Sequence, residues 1–175
     1  MTVVNAAIHR HDPNHLNLGL RFGSRTPEAM LRASRGFDVF SMNSYGYEVD
    51  REGLEAAYRI TERPILIGEF HFGTPGRGLA AGLRQTKNQQ ERGTAYRYYV
   101  ENAAAHPALI GAHWFQWIDQ PPTGRMDGEN YNIGIVDVTD RPYVELVEAM
   151  KATHKRLLHV HSGKKPPVTL RALVQ

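Results

Sequence analysis

The 175-residue chain reads as an α/β fold built on a parallel sheet, and three features predict it. Four short apolar runs, at residues 16–22, 37–43, 64–70 and 109–117, each precede a helical pattern, so strands and helices alternate strictly. The runs are nearly continuous in apolar residues, as in Pro64-Ile65-Leu66-Ile67-Gly68, which suits parallel strands covered on both faces. The connections are asymmetric. Helix-to-strand links are almost absent, whereas the strand-to-helix segments 71–85 and 118–141 are long and rich in Gly, Pro, Asp and Asn. Loops beyond the carboxyl ends of parallel strands build the site in α/β proteins, so elaboration on that side alone points to a ligand there. A doubly wound open sheet would give the same signal.

Taken in order, residues 3–11 resemble the end of a helix that feeds through Asp12-Pro13-Asn14 into the first strand, as if an upstream strand preceded it. Thr26-Pro27 opens the next helix, with a capping hydroxyl and then proline at the first helical position. Asp50 caps the second, which carries Leu54, Ala57 and Tyr58 on one face. Thr86 with Gln89 fits a capping box for the third, which then repeats Tyr96, Tyr99, Val100 and Ala103 at helical spacing. The last helix shows Tyr143, Leu146, Val147, Met150 and His154. These apolar faces are read as packing on a sheet.

Composition narrows the class. With 41% hydrophobic and 22% charged residues the chain is an ordinary globular one, enough for a single core over residues 1–161. Residues 162–175, with Lys164, Lys165, Pro166 and Pro167, read as a basic flexible extension. The net charge of +3 is spread among helices, which argues against nucleic acid as a partner. No apolar stretch approaches a membrane span, and the first residues lack a basic, then apolar leader, so the expectation is a soluble chain with no export signal, cytoplasmic by default. The absence of cysteine removes disulfides and thiolate metal sites. His9, His11 and His15, and His154, His159 and His161, cluster at the two ends; spaced so, they read as solvated helix ends, and no metal or other cofactor is expected.

Glu69 ends the run Ile65-Leu66-Ile67-Gly68 and so presents a carboxylate at the carboxyl end of a buried strand. An unpaired charge there is costly, and Glu69 must be hydrogen-bonded, ion-paired or functional; the plain alternative is an ion pair with Arg21 or Arg77. Groups suited to a carbohydrate stand at neighbouring strand ends: Asn43 and Tyr45, His71, and Gln116, Trp117 and Asp119. Amides and carboxylates meet sugar hydroxyls, and aromatic rings meet the C–H face of a pyranose. Trp114 reads as core, Trp117 as the better platform.

Several of these segments resemble one enzyme group. Pro64-Ile65-Leu66-Ile67-Gly68-Glu69-Phe70 resembles the seventh strand of clan A glycoside hydrolases, where the terminal Glu is the nucleophile. Residues 111–121, Gly-Ala-His-Trp-Phe-Gln-Trp-Ile-Asp-Gln-Pro, resemble the eighth strand of the agarase and β-galactosidase branches. Asp12-Pro13-Asn14-His15-Leu16 with Gly19-Leu20-Arg21-Phe22, and Asp127-Gly128-Glu129-Asn130-Tyr131 with Ile133-Gly134, are similar to agarase-like members; the ordered set covers roughly residues 5–158.

The resemblance implies four consecutive βα units, half of a (β/α)8 barrel, and a retaining hydrolase of β-linked, galactose-type saccharides. It implies Glu69 as nucleophile, Tyr45 as the group orienting it, Trp117 as sugar platform, and Gln116, Asn43 and His71 as polar contacts. The clan's general acid, at the end of the fourth strand, has no counterpart here, and retention needs two carboxyl groups about 5 Å apart. Glu129, in the last loop, is the alternative acid. Four units alone would leave two open sheet edges, which predicts a homodimer that closes a barrel and brings both copies of Glu69 to one cavity. A vestigial sugar-binding half-barrel is the competing reading.

Overall fold

A computed structural model describes residues 1–23 and 25–174. Its elements are α1 (Thr2–His11), β1 (Arg21–Phe22), α2 (Glu28–Ala33) with a 3-10 turn (Ser34–Gly36), β2 (Phe40–Asn43), α3 (Arg51–Thr61), β3 (Ile65–Phe70), α4 (Gln89–Ala104), β4 (Leu109–Trp114) and α5 (Val144–His161). One sheet of order β1-β2-β3-β4 forms, with β1, β2 and β3 paired in parallel. β3 and β4 share that direction, because Ile65 N–H bonds Ala108 O and, further along both strands, Phe115 N–H bonds Phe70 O. The expected α/β class and strand order hold.

The strands are shorter than their apolar runs. The first run bends at Gly19, whose φ of +72° only glycine adopts readily and whose missing side chain leaves room for the Phe37 ring. Upstream, Asn17 exchanges bonds with Asp38 and Asn5 instead of a strand. β4 stops at Trp114, before Gln116 and Trp117, because the Trp117 carbonyl accepts N–H bonds from Ile135 and Val136 in the following loop.

Residues cluster into two compact units. The first, Met1–Ser44, Asp50–Glu69 and His106–His113, holds the sheet and α1 to α3. Its core is Val39, Phe40, Leu54, Ile65 and Ile67, with Phe22 stacked on Phe40 at 5.6 Å. The Asp50 side chain caps α3 by accepting from Gly53 N–H at 2.9 Å, as expected, but Tyr58 lies exposed while Leu54, Ala57 and Thr61 are buried. Pro27 takes the N-cap position of α2 and not its first turn. Leu16, Leu18 and Leu20 alternate along an exposed stretch, Leu16 at 70% and, on β4, Ile110 at 55%. These exposed apolar side chains stand at the two ends of the strand order, before β1 and on β4.

The second unit, Tyr45–Val49, Phe70–Ala105 and Trp114–Gln175, centres on α4 against α5. Gly93 permits the contact, since a Cβ there would meet Ala149 Cβ at 2.9 Å. Phe70 stacks on Tyr99 at 4.8 Å and meets the Trp114 ring edge-on at 5.3 Å, so Trp114 is a packing residue. The α4 cap is Asn88, which accepts from Glu91 N–H; Thr86 instead donates to Gly73 O and pins the preceding loop. The basic extension is also not free. It crosses α4, with Val168 N–H on the buried Glu101 carboxylate, Asn102 on Val168 O, Arg171 on Glu48, and Leu173 N–H on Glu91. Its last residue, Gln175, lies outside the described residues. The loops after β3 and β4, 71–88 and 115–143, are the long ones, and the helix-to-strand links 62–64 and 105–108 are short. Among the described residues no helix is long and apolar enough to cross a membrane.

Candidate active site

In the first unit the site forms at a fault in the sheet. Met42 faces Ile67 across β2 and β3, but the next pair is Asn43 with Glu69, so Gly68 is an extra residue and β3 bulges there. The bulge sets Glu69 opposite Asn43 at the carboxyl ends of both strands. Asn43 Nδ2 donates to Glu69 Oε2 at 2.7 Å, and Arg21 Nη2, from β1, meets Oε1 at 2.9 Å. The Arg21 stem passes directly over Gly68, where a Cβ would collide with Arg21 Cγ and Cδ. Gly68 thus serves both the bulge and the ion pair. Gly68→Ala is expected to cost ~1–3 kcal/mol and to lift Arg21 off Glu69; an unchanged denaturation midpoint with the pair intact in a crystal structure would refute this.

The pair with Arg21 answers the alternative posed by the sequence: Glu69 is ion-paired, and Arg77 is not its partner but that of Asp137. The Glu69 side chain is 15% exposed and that of Arg21 53%. A pair so open to water contributes little stability, of order 1 kcal/mol or less. Both carboxylate oxygens of Glu69 are thus held, one by Asn43 and one by Arg21. Asn43 Oδ1, by contrast, is buried and has no hydrogen-bond partner among the described residues. Three cavities of 440 to 650 Å³ are lined by other residues.

In the second unit, His71 and Asp119, two of the residues expected to touch sugar, are buried and bonded to loop groups. His71 is buried, with Nδ1 on Phe115 O at 3.1 Å and Nε2 accepting from Leu83 N–H at 3.0 Å. It is therefore neutral with its proton on Nδ1, and burial, aided by Arg92 and Arg84, lowers its pKa to about 4 against the bond to Phe115. The Tyr45 ring meets it edge-on at 4.9 Å. Asp119 is likewise buried, accepting from Tyr143 Oη at 2.5 Å, Asn132 Nδ2 at 3.1 Å and Gly134 N–H at 2.7 Å. Each is thus engaged by loop groups of the second unit. Gln116 Nε2 donates to Ile118 O, after a cis Phe115–Gln116 peptide. Trp117 stands 65% exposed. Glu129 is tied to Gln120 at 2.8 Å and Arg125 at 3.5 Å.

Arg92 was not anticipated. It is wholly buried, and the signal lay in its spacing: residues 92, 96, 99 and 103 share the inward face of α4 with Tyr96, Tyr99 and Ala103. The terminal histidines have ordinary partners, His15 with Asp12, His154 with Tyr96 and His161 with Ala104 O. No group of three His, Cys, Asp or Glu able to hold a metal occurs among the described residues.

Against models of protein families the chain matches none. Against individual proteins it is 44% identical over 154 residues to beta-agarase B of Vibrio sp. (strain JT0107), covering 86% of this chain and 16% of that protein. The chain is homologous to β-agarases. It superposes on PfGH50B with a TM-score of 0.86 and 42% identity, over 90% of this chain and 23% of that one. On an exo-beta-agarase the values are 0.85 and 40%, over 91% and 22%. The chain therefore corresponds to one segment of these agarases, 16% of the length of the curated relatives it matches. The agarase homology agrees with the agarase side of the motif resemblance.

Proposed function

We propose that the chain is part of a glycoside hydrolase acting on β-linked, galactose-type polysaccharide by a retaining mechanism, with Glu69 as nucleophile. The observation that supports this best is the Gly68 bulge, which puts a carboxyl group, held by Asn43 and Arg21, at the carboxyl end of a buried parallel strand in an agarase homologue. One Glu69 oxygen attacks the anomeric carbon while the glycosidic oxygen leaves with the bonding pair and takes a proton from a general acid; that acid's conjugate base then takes a proton from water, which attacks the same carbon and releases Glu69. Arg21 and Asn43 stabilise the carboxylate as it leaves. Within the second unit, the exposed Trp117 ring suits the C–H face of a pyranose, with Tyr45 and Gln116 as further candidate contacts.

The general acid is proposed to come from the polypeptide that covers the exposed Leu16, Leu18, Leu20 and Ile110 surface, a second copy when this chain is alone. The sheet would then continue as a half-barrel completed by self-association. Light scattering during gel filtration should give twice the chain mass, and replacing Leu16 and Leu18 with serine should return it to one; a monomer at all concentrations would refute self-association. The competing reading, a sugar-binding segment without chemistry, draws on the Arg21–Glu69 pair. Turnover of aryl β-galactosides by the wild type and not by Glu69→Gln decides between them.

A further inference from the structure

The second unit contains a buried cation that the proposed chemistry does not use. The Arg92 guanidinium donates through Nε to Phe72 O at 2.9 Å, through Nη1 to Gln89 Oε1 at 2.7 Å, and through Nη2 to Gly134 O at 2.9 Å. It lies over the Tyr143 ring at 5.1 Å and the Trp114 ring at 5.8 Å. A guanidinium taken out of water is costly unless its donors are used and a counter-charge stands close. Asp119 supplies that charge, and although burial lowers the Arg92 pKa to about 10, it is ionised at neutral pH.

What Arg92 grips is the peptide that sets Trp117. Gly134 gives its carbonyl to Arg92 and its N–H to Asp119. The next two residues, Ile135 and Val136, both donate N–H to the Trp117 carbonyl, at 2.7 and 3.0 Å, and Val136 O accepts from Asp119 N–H. A Cβ on Gly134 would strike the Asp119 nitrogen and Val136 oxygen, so the backbones meet only because residue 134 has none. Phe72 O, the third acceptor, belongs to the other long loop, which is stitched to this one by Ala80 N–H on Asn130 O and Asn132 N–H on Ala80 O.

We infer that Arg92 is a positioning residue, which by holding Gly134 and Phe72 together fixes the two long strand-end loops and the orientation of Trp117 toward saccharide. The inference rests on Trp117 as the platform for its functional part alone; the loop clamp stands without it.

The test uses Arg92→Lys, which keeps the charge but lacks the planar fork that spans three acceptors, and Tyr143→Phe, which removes the hydroxyl that donates to Asp119 and accepts from Asn132. The chain has two tryptophans, so Trp117 and Trp114 give two indole N–H resonances, the latter bonded to Ile133 O. In Arg92→Lys, amide exchange at Ile135, Val136 and Asn132 should quicken about tenfold or more, the loss of one charge-assisted hydrogen bond, while interior amides of α4 and α5 keep their protection. Titration with an agarose-derived tetrasaccharide should shift the Trp117 indole resonance with affinity weakened by a similar factor, and Tyr143→Phe should do the same to a smaller extent. Unchanged exchange at Ile135 and Val136, or an equal loss of protection throughout α4 and α5, would overturn the inference. If wild type shows no saccharide-dependent shift at Trp117, the platform reading and the functional part of the inference fail together, and exchange alone still decides the clamp.

Discussion

Glu69→Gln is expected to lower turnover of an aryl β-galactoside by ~10³-fold or more, the scale of removing a covalent nucleophile, while leaving the fold intact. The two halves of that outcome separate the readings of Glu69. A carboxylate kept only for its ion pair would show its loss in stability, yet Arg21 is half in water, and a pair so exposed contributes about 1 kcal/mol or less. Gln is close in shape, and the unpartnered Asn43 Oδ1 gives the new amide an acceptor once Asn43 turns. Activity should therefore vanish with little change in the denaturation midpoint. A variant that unfolds readily while residual turnover persists would point to a structural carboxylate.

The second large effect is on stability and comes from His71. In the folded chain the ring is neutral, with a pKa near 4 against an ordinary 6.5, because it is buried and Nε2 must accept from Leu83 N–H. Unfolded chains take up a proton below pH 6.5 that the folded chain refuses until about pH 4. The stabilisation is thus complete above pH 6.5 and is lost as pH falls toward 4, by roughly 3 kcal/mol in all. His71→Gln, whose amide can donate to Phe115 O and accept from Leu83, should flatten this part of the stability curve relative to wild type, as measured by urea unfolding at stepped pH. Curves for the two proteins that run parallel from pH 7 to 4 would contradict the assignment of the neutral ring.

How much of this was legible in the sequence follows from what each kind of signal depends on. The parallel order of the strands was readable because continuous apolar runs and one-sided loops are properties of the chain itself. β3 was placed to within one residue, and Glu69 at its end came with it. The bulge was not readable, because a glycine before a glutamate looks the same in a regular strand; only the register of β2 reveals the extra residue. His71 and Asp119 were assigned to sugar because polar groups at strand ends usually face ligand, but long loops fold back and take those groups as internal partners. Arg92 escaped for the converse reason, since a helical arginine is ordinarily solvated, and burial depends on acceptors at Phe72 and Gly134 that are distant in sequence. The extension after residue 161 read as flexible from its composition, yet its attachment to Glu101 and Glu91 depends on the register of α4, and that to Glu48 on the segment before α3, neither of which composition carries.

The nucleophile can be tested apart from the general acid. A 2-deoxy-2-fluoro β-galactoside with a dinitrophenolate leaving group needs no protonation of the departing oxygen, and the fluorine slows release of the covalent intermediate. Intact mass spectrometry of the treated chain should show the gain of one deoxyfluorogalactosyl group, peptide mapping should locate it on Glu69, and Glu69→Gln should gain nothing. Labelling at any other carboxylate, or none on a folded chain that binds the sugar, would contradict the account.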